Sequence, residues 1–224
     1  LSDGGEVGRR TARRIAEAQA RGVGVVLVTG RPYAAVRRHA LALGVRLPVV
    51  CCNGAVVREP VSGRLRFRRG LGRALAAEVA AGLAGSGLHA CAVCGRTLLG
   101  PHMDPEARAF YAAHGLRAVP VADLAEALRG RRAGPDMIVV RGEPALVGLV
   151  AESVRRRWDG RLDLHRPNPG SLDVVAAGVA KERAVAVLAR QLGVPPAAVL
   201  AIGNGDNDAG LLAWAGLGVA VANA

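Results

Sequence analysis

The stretch Val23-Gly24-Val25-Val26-Leu27-Val28-Thr29-Gly30 leaves few folds open. It is a continuous, valine-rich apolar run with no polar alternation, so a strand built from it must be covered on both faces, as in a parallel sheet layered with helices. Pro32 then opens a helical stretch, PYAAVRRHALALG, and a second apolar run, Pro48-Val49-Val50-Cys51-Cys52, ends at Asn53-Gly54. Strand, helix, strand is an α/β crossover unit. Upstream, residues 9–21 put Ala12, Ile15 and Ala16 on one helical stripe among charges, and Gly22 ends the pattern as a C-terminal cap does. The same grammar returns near the end: a helix over 180–192, the apolar strand VLAIG over 199–203, the loop Gly203-Asn204-Gly205-Asp206-Asn207-Asp208, a short helix DAGLLAWAG and the strand GVAVAN. Sheets of this kind place their chemistry in the loops beyond the carboxyl ends of the strands. Thr29, Asn53 and the 204–208 loop are therefore expected to converge.

Between these halves the texture changes. Residues 55–67 alternate and turn at Ser62-Gly63, the pattern of a β-hairpin. From about residue 70 to residue 168, helical stretches (71–85, 104–114, 121–129, 143–157) alternate with short strands (88–93, 136–141, 161–165). The expected fold is α/β: a doubly wound, Rossmann-like parallel-sheet core of residues 1–69 plus 170–224, with a large α/β domain inserted over 70–169. No solenoid period and no low-complexity linker interrupts it.

A chain of 224 residues, 51% hydrophobic, is long enough to bury such a core with its insertion. Its net charge of +12 raises the question of nucleic acid, but only 3% of residues are aromatic and the arginines are scattered, so stacking platforms are nearly absent. Nucleic acid is not an expected partner; an anionic small molecule suits the charge equally well. No apolar run reaches the length of a membrane span, and LSDGGEVGRR lacks the apolar stretch of a signal peptide, so the expected location is cytoplasmic. There the four cysteines stay reduced, Cys51 and Cys52 as small buried hydrophobes.

The polar residues at the strand ends carry the candidate chemistry. Thr29-Gly30-Arg31 offers a hydroxyl and free backbone amides that can hold a phosphoryl oxygen, although Thr-Gly is also an ordinary strand-to-helix turn. Asn53-Gly54 is equally a common hairpin turn. In the 203–208 loop, glycines free the backbone while carboxylates and amides cluster where oxygens can hold a hard cation such as Mg²⁺. It is not an EF-hand, because the sixth place is Ala209 and the twelfth Ala215. Cys91 and Cys94 have metal-like spacing but no completing pair, and read as packing. His39, His102, His114 and His165 form no cluster in sequence. Lys181 is the only lysine of the chain and stands at a helix start, just after Gly178-Val179-Ala180.

Thr29-Gly30-Arg31-Pro32, Asn53-Gly54-Ala55, Gly178-Val179-Ala180-Lys181 and Gly203-Asn204-Gly205-Asp206-Asn207-Asp208, in that order and with an insertion after the second, resemble the Cof-type branch of the haloacid dehalogenase (HAD) superfamily of Mg²⁺-dependent phosphatases. The likeness is closest over 9–57 and 170–224. It implies a doubly wound core with a substrate-choosing cap, and hydrolysis of small phosphorylated metabolites, such as sugar phosphates or phosphorylated cofactors, through an aspartyl phosphate. It assigns Thr29 and Lys181 to catalysis, Gly30, Arg31, Asn53, Gly54 and Asn207 to substrate, and Asn204 and Asp208 to Mg²⁺, in a monomer or homodimer. It also explains the lone lysine: a compact ammonium balances the nucleophile and the developing phosphoryl charge where the wide guanidinium fork of arginine fits badly.

Two features depart from the family pattern. The family's DxDGT motif, which carries the attacking aspartate, belongs immediately before Leu1 and neither of its aspartates is in this sequence; the chain reads as a fragment cut at both ends. Asn204 stands where the family has a metal-binding aspartate, so Asp206 or Asp208 competes for the ligand role. The alternative reading is a HAD-fold module without catalysis that only binds a phosphorylated ligand.

Overall fold

A computed structural model describes residues 7–101 and 105–222. The chain opens with α1 (Arg9–Ala20), passes through the extended segment 23–28, and continues into α2 (Tyr33–Ala42) and β1 (Val49–Cys51). A 3-10 turn at Cys52–Gly54 leads to the hairpin β2 (Val56–Arg58) and β3 (Leu65–Arg68). There follow α3 (Arg73–Leu83), β4 (His89–Cys94), β5 (Thr97–Gly100), α4 (Pro105–Ala113), β6 (Arg117–Pro120), α5 (Leu124–Arg129), β7 (Met137–Arg141), α6 (Pro144–Arg157), β8 (Leu162–Asn168) and β9 (Ser171–Ala176). The last stretch is α7 (Lys181–Gln191), β10 (Leu200–Gly203), a 3-10 turn at Asp206–Asp208, α8 (Ala209–Trp214) and β11 (Leu217–Ala220). This is an α/β fold with a Rossmann-like core and a second, six-stranded sheet under its own helices.

The valine run departs from the expectation of a strand covered on both faces: Val23 is exposed and residues 25–28 are only half-buried. Only Val28 bridges Val50 in parallel, where the Val50 amide donates to the Leu27 carbonyl and the Thr29 amide to the Val50 carbonyl, both at 2.9 Å. Its neighbour β1 is only three residues long and pairs its other edge with β2 in antiparallel register, Cys51 opposite Val56. Among the described residues the core sheet is thus in pieces, with the hairpin sheet β1-β2-β3 beside the parallel pair β10-β11. Apolar packing joins the pieces: Val50 and Val57 meet Ala184 and Val185 of α7, Ala201 of β10 and Leu211 of α8.

The six-stranded sheet has the order β6-β5-β4-β7-β9-β8, mostly antiparallel, and β9 carries its pairing to Ala176. Side chains alternate across a strand, so its two faces have separate tasks. Ile138, Val140, Leu172 and Val174 pack under α3, α5 and α6, around Val79, Leu128 and Val147. The opposite residues, Cys91, Val93, Met137 and Val175, turn toward the core and pack with Val49, Cys51 and Cys52. β5, β6 and β9 escaped the sequence reading: β5 and β6 have four residues each, and β9 interrupts its apolar run with Asp173. The predicted helix start at residue 104 lies outside the described residues; α4 begins at Pro105.

Candidate functional site

The three strand-end loops converge as expected, around a cavity of about 530 Å³ between the core and the six-stranded sheet. Thr29, Gly30, Arg31, Lys181, Asn204, Asn207 and Asp208 all line it. The Arg31 amide donates to Thr29 Oγ1 at 3.1 Å, a short turn that closes the loop onto α2. Asn53 and Gly54 lie behind the lining. Asn53 is fully buried in the left-handed region (φ 56°) and links two other loops: its Nδ2 donates to Asp173 Oδ2 at 2.8 Å, and its Oδ1 accepts from Asn207 Nδ2 at 2.9 Å. Gly54 has φ 105°, and a Cβ there would strike the Ala180 carbonyl. The absence of a side chain at Gly54 lets the start of α7, and so Lys181, seat against the turn.

Lys181 is 4% exposed, and its Nζ donates to Asp208 Oδ1 at 2.6 Å. Asp208 Oδ2 accepts from the backbone amides of Asn204 and Gly205, both at 3.1 Å. Burial pushes the Asp208 carboxyl upward, but the bonds from Lys181 and the two amides outweigh it and hold it below the usual carboxylate range. Asp173 goes the other way: burial raises it, and the bond from Asn53 compensates only in part. The loop therefore contains one firmly ionised carboxylate matched to the lysine, and the sheet contributes one carboxyl driven toward its neutral form.

Asp173 was missed by sequence reasoning, although a lone carboxylate inside the apolar run SLDVVA was a usable signal. His89 and Arg141, which also line the cavity, gave no such signal, because which face of a short strand meets a cavity is decided by the partner layer. Cys51 and Cys52 are buried as expected, and Cys91 is a free thiol whose burial pushes it up to about 11.

Mg²⁺ fits the loop in part. Among the described residues no group of three His, Cys, Asp or Glu side chains is placed to hold a metal. Both Asp208 oxygens are engaged, so the loop itself offers the Asn204 amide oxygen and the exposed Asp206 carboxylate. Mg²⁺ bound by few protein oxygens completes its shell with water and substrate phosphate. Among the described residues no helix is long and apolar enough to cross a membrane.

Comparison with known proteins agrees with this fold. The profile of the family described as haloacid dehalogenase-like hydrolase matches residues 1–224. A haloacid dehalogenase-like hydrolase from Bacteroides thetaiotaomicron superposes with a TM-score of 0.85 at 21% identity, covering 100% of this chain and 85% of that one. One from B. subtilis gives 0.84 at 22% identity, covering 98% and 84%. A phosphoglycolate phosphatase of Methanopyrus kandleri is 47% identical over 64 residues, which is 25% of this chain and 28% of that protein. The alignments thus span less than a third of the length of the curated relatives. With the family profile matched from end to end and the fold shared, the chain belongs to the haloacid dehalogenase-like hydrolases.

Proposed function

We propose that this protein hydrolyses phosphate monoesters of small metabolites in the manner of the Cof-type branch, with a substrate-choosing cap that the sequence delimits as 70–169 and that β9 of the six-stranded sheet carries on to Ala176, on a core formed by the flanking segments. The observation that carries the reading is the buried Lys181–Asp208 pair beside the Thr29-Gly30 turn in a cavity that also takes in the six-stranded sheet. In this reading Thr29 Oγ1 and the amides of Gly30 and Arg31 receive the phosphoryl oxygens. Lys181, held in place by Asp208, faces the charge that grows on the phosphoryl group in the transition state, where a fixed cation in a water-poor site acts strongly. Asn53 and Gly54 act by holding Asn207 and α7 in place. Asn204 and Asp208 would hold Mg²⁺, Asp208 through the ion's water shell, and the ion would screen phosphoryl charge. In the family pattern the attacking aspartate belongs to a DxDGT motif, which the 224-residue sequence does not contain.

The second reading, a module that binds a phosphorylated ligand without turnover, draws on one observation. Of the described carboxylates lining the cavity, Asp208 is tied to Lys181 and Asp173 to Asn53, so neither is free to attack phosphorus. The test joins a DxDGT-bearing segment ahead of Leu1 and measures phosphate release from a panel of monoesters with Mg²⁺. Turnover that falls severely in both Lys181→Ala and Lys181→Arg supports the phosphatase. Binding of inorganic phosphate without turnover supports the module instead, and near-parental activity of Lys181→Arg defeats the compact-cation argument.

A further inference from the structure

The cavity-facing side of the six-stranded sheet is laid out in rows by its register. Cys91, Val139 and Asp173 lie side by side across β4, β7 and β9, and this is the row that meets Asn53 through Asp173. Two residues further along each strand, His89 stands opposite Arg141, Arg141 opposite Ser171, and Ser171 opposite Asn168. All four of these polar residues line the cavity. At about 3.4 Å per residue, this row sits roughly 7 Å beyond the one anchored to the Thr29–Asn53 turn. A short carbon chain attached to a phosphoryl group at that turn spans such an offset.

The charge balance of the cavity singles out Arg141 in this row. The positive charge of Lys181 is matched by Asp208. The side chains of Arg141 and of Arg31 at the phosphoryl turn have no hydrogen bond or ion pair with any described residue. The nearest carboxyl on the same face, Asp173, is bonded to Asn53. His89 lies beside Arg141 with its Nε2 3.3 Å from Cys91 Sγ, and adds no negative charge. Among the described residues the cavity therefore contains two guanidinium groups without a hydrogen-bonded counterion, one beside the phosphoryl turn and one in the row beyond it. A guanidinium offers a planar fork of donors suited to a carboxylate, and a charge-assisted pair of this kind is stronger than a bond to a neutral hydroxyl.

Resting on the phosphatase reading above, we propose that the His89–Arg141–Ser171–Asn168 row reads the leaving group, and that Arg141 selects phosphate esters whose carbon chain ends in a carboxylate over those ending in an alcohol. Ser171 and Asn168 supply neutral hydrogen bonds to hydroxyls between the two anionic ends.

The test is calorimetric binding to the chain as it stands, in Mg²⁺-containing buffer, so that it does not depend on turnover. The probes are inorganic phosphate, 3-phosphoglycerate and glycerol 3-phosphate, the last two differing by a carboxylate against a hydroxymethyl group. The expected result is at least about tenfold tighter binding of 3-phosphoglycerate than of glycerol 3-phosphate, from one charge-assisted contact. Arg141→Gln should abolish that preference while leaving phosphate and glycerol 3-phosphate within about twofold, which also reports that the variant is folded. Arg141→Lys should restore part of the preference. Equal affinity for the two esters, or a loss shared equally by all three probes in Arg141→Gln, overturns the proposal while leaving the phosphatase reading intact. If none of the three binds, the phosphate-site reading itself fails and this proposal fails with it.

Discussion

Removing the ammonium of Lys181 without removing its volume, by Lys181→Met, isolates the ion pair on which the site turns. In the native chain the pair is almost dry, Lys181 at 4% and Asp208 at 8% exposure, with 2.6 Å between Nζ and Oδ1. Deleting one member of a buried pair leaves an uncompensated charge and costs about 3–5 kcal/mol. Asp208 keeps its bonds from the Asn204 and Gly205 amides, so the lower end applies, roughly 3 kcal/mol. For a chain of this size that is a fall in Tm of about 6–12 °C.

The double variant Lys181→Met/Asp208→Asn carries no charge at this pair, and the side-chain amide oxygen that replaces the carboxylate can still accept from the two backbone amides. Its loss should be less than the sum of the single losses by about 2 kcal/mol. The effect has a pH signature. The folded-state pKa of Asp208 is depressed, so the pair's contribution is present above the unfolded value near 3.9 and is lost as pH falls through the folded value. In Lys181→Met, burial acts without the lysine to oppose it, and the gap between parent and variant should narrow on acidification from neutral pH. Urea unfolding followed by far-UV circular dichroism, at neutral pH and near pH 4, measures all of this. Additive single losses with a gap independent of pH would refute the account of a desolvated, mutually dependent pair.

Asp173 predicts the opposite slope: its folded pKa is raised, so its contribution is complete below about 3.9 and is lost as pH rises through the folded value. Asp173→Asn should therefore gain stability relative to the parent between acid and mildly alkaline pH, and parallel urea midpoints across that range would count against the reading. Gly54→Ala must place a Cβ at φ 105° against the Ala180 carbonyl and should cost more than about 2 kcal/mol, whereas Gly148→Ala, inside α6 with open space around it, should stabilise by roughly 0.5–1 kcal/mol; thermal melts compare the two. In the protein extended with DxDGT, Asn204→Asp should lower the Mg²⁺ concentration for half-maximal activity and Asp208→Asn raise it. A Mg²⁺ titration in which only Asp206→Asn matters would move the ligand role to Asp206.

The sequence alone determined which loops would be brought together. Apolar runs ending in Thr29, Asn53 and Gly203 fix which loops follow extended segments, and a lone lysine at a helix start flags itself, because local composition and spacing are properties of the chain. Helix positions were legible for the same reason: apolar periodicity and glycine stops placed α3, α6 and α7 within a few residues. Tertiary structure decided what sequence distance hides. That Asn53 bonds Asp173, 120 positions away, and Asn207, 154 away, depends on three elements packing together. Among the described residues the valine run forms one parallel bridge, to a β1 only three residues long. Asp208 serves as the counterion of Lys181 rather than as a free carboxylate because α7 and the 206–208 turn meet there. The row of His89, Arg141, Ser171 and Asn168 exists only through strand register, since a shift of one residue would turn every one of those side chains to the other face of the sheet.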